Sequence, residues 1–293
     1  MFNKHKYKIV FLVVFFISTI TLGLVALNIS TSPPPSPTKS VENPPTIMSS
    51  PSPQISFTLS PTLPPPTPKA KIEWHPLSPI SDNDYGLITN GSRAKYQIAL
   101  TFDACQTEGD LAGYDTEIIR VLNETDTPAT LFLGGLWMRD HPEATVALAQ
   151  NPLFELGNHS WSHLDFRELN PEEITAEIQK AQKQMYDLLG FQTTLFRLPF
   201  GTYNEENLDT IAQNGLYTIQ WDVVSGDPDP NTDAASMIDW VLYQVEPGSI
   251  IIMHVNERGW HTAEALPAII EALRNQGYEF VTISELLEIE AKK

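Results

Sequence analysis

Two histidines four residues apart, His159 and His163, are the first sign of chemistry in this 293-residue chain. They lie in the stretch Gly157-Asn158-His159-Ser160-Trp161-Ser162-His163, directly after the apolar run Leu153-Phe154-Glu155-Leu156. On one helical turn, residues at i and i+4 stand about 5–6 Å apart at Cβ, so both imidazoles could reach one divalent cation at roughly 2.0–2.1 Å. An isolated His-x-x-x-His also arises by chance, as a strand cap followed by a solvated helix residue, and the metal reading therefore needs support from elsewhere. Further ionisable residues follow apolar runs of their own: Asp103, Arg197, Asp222 with Asp227, and His254. Whether these act together depends on the elements that carry them.

Short apolar runs at 96–103, 129–133, 153–157, 195–198, 217–222, 249–254 and 280–283 read as strands. Amphipathic stretches at 114–124, 142–150, 171–189, 205–214, 233–245 and 262–276 read as helices, with 285–291 closing the chain. Asn170 before Pro171 supplies an N-cap and first-turn proline, and Gly190 and Gly277 supply stops. Seven β/α alternations imply a parallel sheet covered by helices, either open or closed as a barrel. In a barrel the C-terminal strand ends share one rim, where such folds carry their catalytic groups. Asp103, the histidine pair, Arg197, the Asp222/Asp227 pair and His254 all fall just past strand ends. Scattered surface polarity would not select that register.

Thr101-Phe102-Asp103, His159-Ser160-Trp161-Ser162-His163, Arg197-Leu198-Pro199-Phe200-Gly201, Trp221-Asp222 leading to Asp227, and Ile252-Met253-His254 stand in the order and approximate spacing of five motifs. Over about 96–283 the chain thereby resembles the polysaccharide deacetylases, the NodB-type domains of carbohydrate esterase family 4. The resemblance implies a distorted (β/α)7 barrel, a divalent metal (usually Zn2+, with Co2+, Ni2+ or Mn2+ as alternatives), and hydrolysis of N-acetyl or O-acetyl groups on glycans. Carried over residue by residue, it makes His159 and His163 metal ligands and Asp103 the general base towards the attacking water. Arg197 orients Asp103, His254 is the general acid for the departing amine, and Asp227 tunes His254. The Phe200 N–H resembles an oxyanion donor, and Trp161 and Tyr203 are candidate sugar-stacking faces.

Two positions depart from the pattern. The family's first motif continues Asp-Asp, the second aspartate being the third metal ligand, and here that residue is Ala104. In the fourth motif Asp227 precedes Pro228 where the family has Asp-Trp, and the first acid of that motif falls on Val224. Three accounts of the missing ligand stay open: Asp103 binds metal itself, Cys105 or an acid of the 108–115 loop substitutes, or metal is bound weakly or not at all. The last account makes the protein a non-catalytic glycan-binding pseudoenzyme, the alternative to a metal-dependent deacetylase acting on cell-wall or extracellular N-acetylhexosamine.

The N-terminal 70 residues have a different character. Lys4, Lys6 and Lys8 precede 19 uncharged residues, 9–27, enough to span a hydrocarbon core of about 30 Å as a helix. The lysines predict a cytoplasmic tail and an exported remainder. No A-x-A pattern follows the run, which favours a retained anchor (1–29) over a cleaved signal peptide. Thirteen of the 24 prolines lie between Pro33 and Pro68, making 30–70 an extended Pro/Ser/Thr-rich spacer. That leaves 71–293 as the catalytic domain, expected to be monomeric. Six of the 18 basic residues and one of the 36 acidic residues precede Ile72, leaving 12 against 35 and a charge of −23 in the remainder. Such acidity excludes nucleic acid as a partner. The single cysteine, Cys105, excludes an intrachain disulfide.

Overall fold

The structure of the protein, a computed structural model, describes residues 74–80 and 86–289. Eight parallel strands carry the fold: β1 (Gln97–Ala104), β2 (Ala129–Leu133), β3 (Phe154–Asn158), β4 (Leu195–Phe196), β5 (Tyr217–Thr218), β6 (Val223–Val224), β7 (Ile250–His254) and β8 (Glu279–Phe280). They are hydrogen-bonded in the order β5-β4-β3-β2-β1-β7-β6, with β8 added to the start of β1. The helices are α1 (Thr116–Glu124), α2 (Gly135–Asp140), α3 (Pro142–Gln150), α4 (Pro171–Leu189), α5 (Glu205–Gln213), α6 (Ala234–Gln244), α7 (Thr262–Asn275) and α8 (Ile283–Leu287). The architecture is a parallel-strand α/β half-barrel.

Side-chain alternation along β1 sets the two faces. Ile98, Leu100, Phe102 and Ala104 join the apolar layer that includes Ile118 and Leu122 of α1 and Ile269 and Leu273 of α7. The residues of opposite parity turn inward: Ala99 packs with Phe132, Ile219, Ile250, Ile283 and Leu286, while Thr101 and Asp103 are buried polar residues. Because each large apolar side chain withdrawn from water contributes about 1.5–3 kcal/mol, a one-residue slip that exchanged the faces would be strongly disfavoured. α8 plugs the inner face from below through Ile283 and Leu286.

Helix α4 begins and ends as its sequence dictates, with an Asn170/Glu173 capping box, Pro171 in the first turn and Gly190 left-handed at φ 81°. Three elements differ from expectation. The strand expected at 217–222 is cut short to β5, which pairs with β4, and β6 lies just past its expected end, paired with β7. Between them the Ile219 and Gln220 carbonyls accept from the Arg197 guanidinium instead of from a neighbouring strand. Helix α2, opening on two glycines, carried no start signal. The last strand ends at Phe280, and α8 starts early because Thr282 caps it reciprocally with Glu285.

Among the described residues no helix is long and apolar enough to cross a membrane. The anchor expected at 9–27 and the spacer at 30–70 lie outside the described residues.

Candidate active site

The C-terminal ends of β1, β3, β4 and β7 and the segment after β6 converge on a pocket of about 270 Å³. Asp103, Cys105, His159, His163, Phe200, Asp227 and His254 line it, with Leu198, Trp221, Val224, Ile252 and Arg258 among the remaining walls. The residues expected to act together are therefore brought together.

The histidine pair is held by a loop, correcting the helical turn inferred from its spacing. Ser160 and His163 take left-handed φ values of 64° and 57°, and the backbone N–H groups find side chains rather than i−4 carbonyls. Ser160 N donates to Asn158 Oδ1, Trp161 N and Ser162 N donate to Glu177 Oε2, and His163 N donates to Ser160 Oγ. Ser160 and Trp161 in turn offer carbonyls to Gly135 N and Leu136 N at the start of α2. Phe200 is also left-handed, at φ 59°, and its ring meets His163 edge-on at 4.5 Å. Strained backbone at two pocket-lining residues, His163 and Phe200, and at Ser160 beside them is the usual mark of a site whose geometry the fold enforces.

Asp103 and Arg197 form a fully buried ion pair, with Nη1 donating to Oδ1 at 2.8 Å. The guanidinium also donates from Nε to the Ile219 carbonyl and from Nη2 to the Gln220 carbonyl, and lies over the Phe132 ring at 4.1 Å. Burial pulls the guanidinium pKa below its ordinary value despite the Asp103 charge. With Oδ1 engaged, Asp103 directs Oδ2 towards His159 Nε2 at 3.7 Å.

His254 and Asp227 form a second buried pair. His254 Nδ1 meets Oδ1 at 3.0 Å, and the His254 backbone N–H donates to Oδ2 at 2.6 Å. Ser225 Oγ and Thr262 Oγ1 donate to the same carboxylate at 2.9 and 3.0 Å, fixing Asp227 so that Nδ1 carries the imidazole proton on its side. Burial pulls the His254 pKa down, but the charge and hydrogen bond of Asp227 outweigh it and leave the pKa well above the histidine norm.

Cys105, His159 and His163 form the one cluster among the described residues able to hold a metal ion, their ligand atoms all within 4.8 Å of one another. Cys105 Sγ lies 3.4 Å from His159 Nε2. The Arg197 carbonyl accepts from His159 Nδ1 at 3.0 Å, which fixes the tautomer and leaves Nε2 free as a ligand. His163 Nδ1 is buried without a hydrogen-bond partner. Burial would push the Cys105 thiol up, but the facing imidazoles bring it well below its ordinary value. For His159, Asp103 and Cys105 outweigh burial and raise the pKa. The donor set and the orphaned nitrogen fit a divalent cation.

Other expected residues fall elsewhere. Trp161 is buried, with its ring against Gly135 and under Lys180 at 4.1 Å, and does not line the pocket. Tyr203 is exposed beyond the pocket walls. Asp222 binds Arg93, Ser249 Oγ and the Ile250 N–H, a structural clamp. Sequence reasoning passed over Ser225 and Thr262; Ser225 sits two residues before Asp227, whereas Thr262 gave no local signal.

A family profile described as polysaccharide deacetylase matches residues 90–219, ending before Asp227 and His254. An uncharacterised 30.6 kDa protein of Geobacillus stearothermophilus is 30% identical over 75% of this chain and 80% of its own. The peptidoglycan-N-acetylglucosamine deacetylase PgdA of Listeria monocytogenes is 31% identical over 67% of this chain, which spans 40% of that protein. Among solved structures, the Bc1960 peptidoglycan N-acetylglucosamine deacetylase matches with a TM-score of 0.64 at 27% identity, covering 71% of this chain and 95% of that one. BA3943, a CE4 family pseudoenzyme from Bacillus anthracis, matches with a TM-score of 0.62 at 26% identity over 69% of each chain.

Proposed function

This chain belongs to the polysaccharide deacetylase family, and from that premise we propose that it is a metal-dependent hydrolase of acetyl groups on a cell-wall or extracellular polysaccharide. The substrate is an N-acetylhexosamine polymer of peptidoglycan or chitin type, with O-acetyl esters as the alternative bond. The observation that carries this reading is that one pocket is lined by Asp103, backed by the buried Arg197, by the His254–Asp227 pair and by the metal-competent cluster. We read β5 and β6 as the two halves of one bent stave that closes a distorted (β/α)7 barrel.

His159 and His163 would hold the cation, zinc foremost, which when bound polarises the acetyl carbonyl and acidifies water. Asp103, positioned by Arg197, takes a proton from the attacking water. His254, kept protonated by Asp227, gives a proton to the departing amine. The Phe200 N–H, in its strained turn, supplies a donor to the developing oxyanion. The lysine-flanked run at 9–27 supports anchoring in the cytoplasmic membrane, with the domain outside and acting as a monomer.

The test is acetate release from an acetylated chito-oligosaccharide by the zinc-loaded full chain, measured against His254→Ala. Loss of about 10²–10⁴-fold in kcat is expected for the variant. The likeness to BA3943 and Ala104 favour a second reading, a non-catalytic glycan-binding module. Equal, background acetate release from both proteins, with oligosaccharide binding retained, would establish it.

A further inference from the structure

We propose that Cys105 is the third protein ligand of the metal site, making it a thiolate–bis-imidazole centre selective for thiophilic cations; this rests on the deacetylase reading above. Ala104 offers no donor atom, so a replacement ligand from this strand end must be one of its neighbours. Ala104 shares its face and its apolar cluster with Ile98, Leu100 and Phe102, and is absent from the pocket walls. Asp103 and Cys105, on either side of it, both line the pocket. A ligand supplied from this strand end must therefore come from 103 or 105.

Geometry separates those two. Asp103 has Oδ1 engaged by Arg197 at 2.8 Å, and its Oδ2 is 3.7 Å from His159 Nε2. Cys105 Sγ is 3.4 Å from that nitrogen. With bonds of about 2.3 Å to sulfur and 2.0–2.1 Å to nitrogen, the S···N edge of a tetrahedral site is about 3.5 Å. The Cys105–His159 pair already has that edge, and His163, with a ring nitrogen within 4.8 Å of both ligand atoms, completes the triangle. Three protein ligands in an open pocket leave a fourth position for substrate or water, the arrangement of a catalytic rather than a structural site. A sulfur donor with two imidazoles favours Zn2+ and Co2+ over the oxygen-seeking Mg2+, Ca2+ and Mn2+.

The full chain loaded with Co2+ is expected to show a near-ultraviolet sulfur-to-cobalt charge-transfer band. X-ray absorption of the Zn2+ form is expected to show one sulfur at about 2.3 Å beside nitrogen neighbours. Cys105→Ser should abolish the band and weaken Zn2+ binding by more than the 10–100-fold typical of losing an outer-shell partner. Excess Mg2+ or Mn2+ should not displace the metal. A nitrogen-and-oxygen-only shell in the wild-type protein would overturn the proposal, as would an Ala104→Asp variant that binds Zn2+ more tightly and loses the band. The absorption measurements need no variant to fold. Because acetate release is scored separately, a sulfur shell without turnover refutes the deacetylase reading alone, and turnover without a sulfur shell refutes the thiolate ligand alone.

Discussion

Asp227 is gripped by three hydrogen-bond donors besides the His254 ring: Ser225 Oγ, Thr262 Oγ1 and the His254 backbone N–H. Removing its charge therefore changes the electrostatics of His254 more than its position. The folded-state pKa of His254 is raised, so the acid form needed for proton donation persists to higher pH than for an ordinary histidine and is lost as pH rises through that value. Asp227→Asn keeps the shape and removes the charge. Its kcat/KM profile is expected to lose activity at distinctly lower pH than the wild type on the alkaline side, and an unmoved alkaline limb would show that Asp227 does not tune His254. Ala104 is the opposite case, a residue whose meaning changes between sequence and structure. Motif spacing makes Ala104→Asp a repair of the metal site. In the fold, the new carboxylate would enter the layer of Leu100, Phe102 and Leu133 without a partner. An uncompensated buried charge costs about 3–5 kcal/mol, so a urea melt should show a lower midpoint with no gain in zinc affinity.

At the scale of elements, Glu177 shows how a helix disciplines a loop. From α4 it accepts from Trp161 N, Ser162 N and Ser162 Oγ, and those residues lie between the two histidines. Glu177→Ala leaves two buried N–H groups unpaired and frees the loop. Zinc affinity is expected to fall about 10–100-fold while the urea midpoint moves far less than for Ala104→Asp; unchanged affinity would mean that the strained turn holds itself. That this grip exists could not be read from the chain, because the Trp161 and Ser162 N–H groups are held by Glu177, a side chain 15–16 residues away. The spacing of His159 and His163 correctly marked them as a pair but wrongly implied a helix. The same limit explains the shortened strand. Apolar content identifies 217–222 as a strand, yet only the buried guanidinium of Arg197, arriving from β4, turns the Ile219 and Gln220 carbonyls out of the ladder. Where structure is decided locally, the reading was close. Helices α3 and α4 begin and end at the expected residues because Pro142, Pro171 and the Asn170 cap state those boundaries in the sequence itself. Cys105 marks the boundary between the two kinds of information: its identity raised metal ligation, but only the fold places its Sγ 3.4 Å from His159 Nε2.

For the whole molecule, the quantities to test are its charge and the proposed tether. A domain anchored through 9–27 should remain with washed membranes in high salt, leave them in detergent, and be removed by protease added to intact cells; full protection from that protease would contradict export.

The charge of −23 carried by residues 72–293 bears on which polymers that domain can approach. Wall polymers differ in charge, and the field of an acidic domain repels anionic chains over the Debye length, about 30 Å at 0.01 M ionic strength and about 8 Å at 0.15 M. Repulsion of this range acts on encounter rather than on the chemical step. The kcat/KM for an anionic acetylated polymer should therefore rise as salt is raised over that interval, with kcat nearly constant. A neutral acetylated chito-oligosaccharide, which feels no such field, should show little change in either constant. Parallel salt responses of the two substrates would mean that the acidity lies away from the approach to the pocket. Arg258 is the basic side chain exposed at the pocket wall. Arg258→Gln should steepen the salt response for the anionic polymer while leaving the neutral substrate unaffected, since it removes the one local attraction that offsets the long-range repulsion among the described pocket residues.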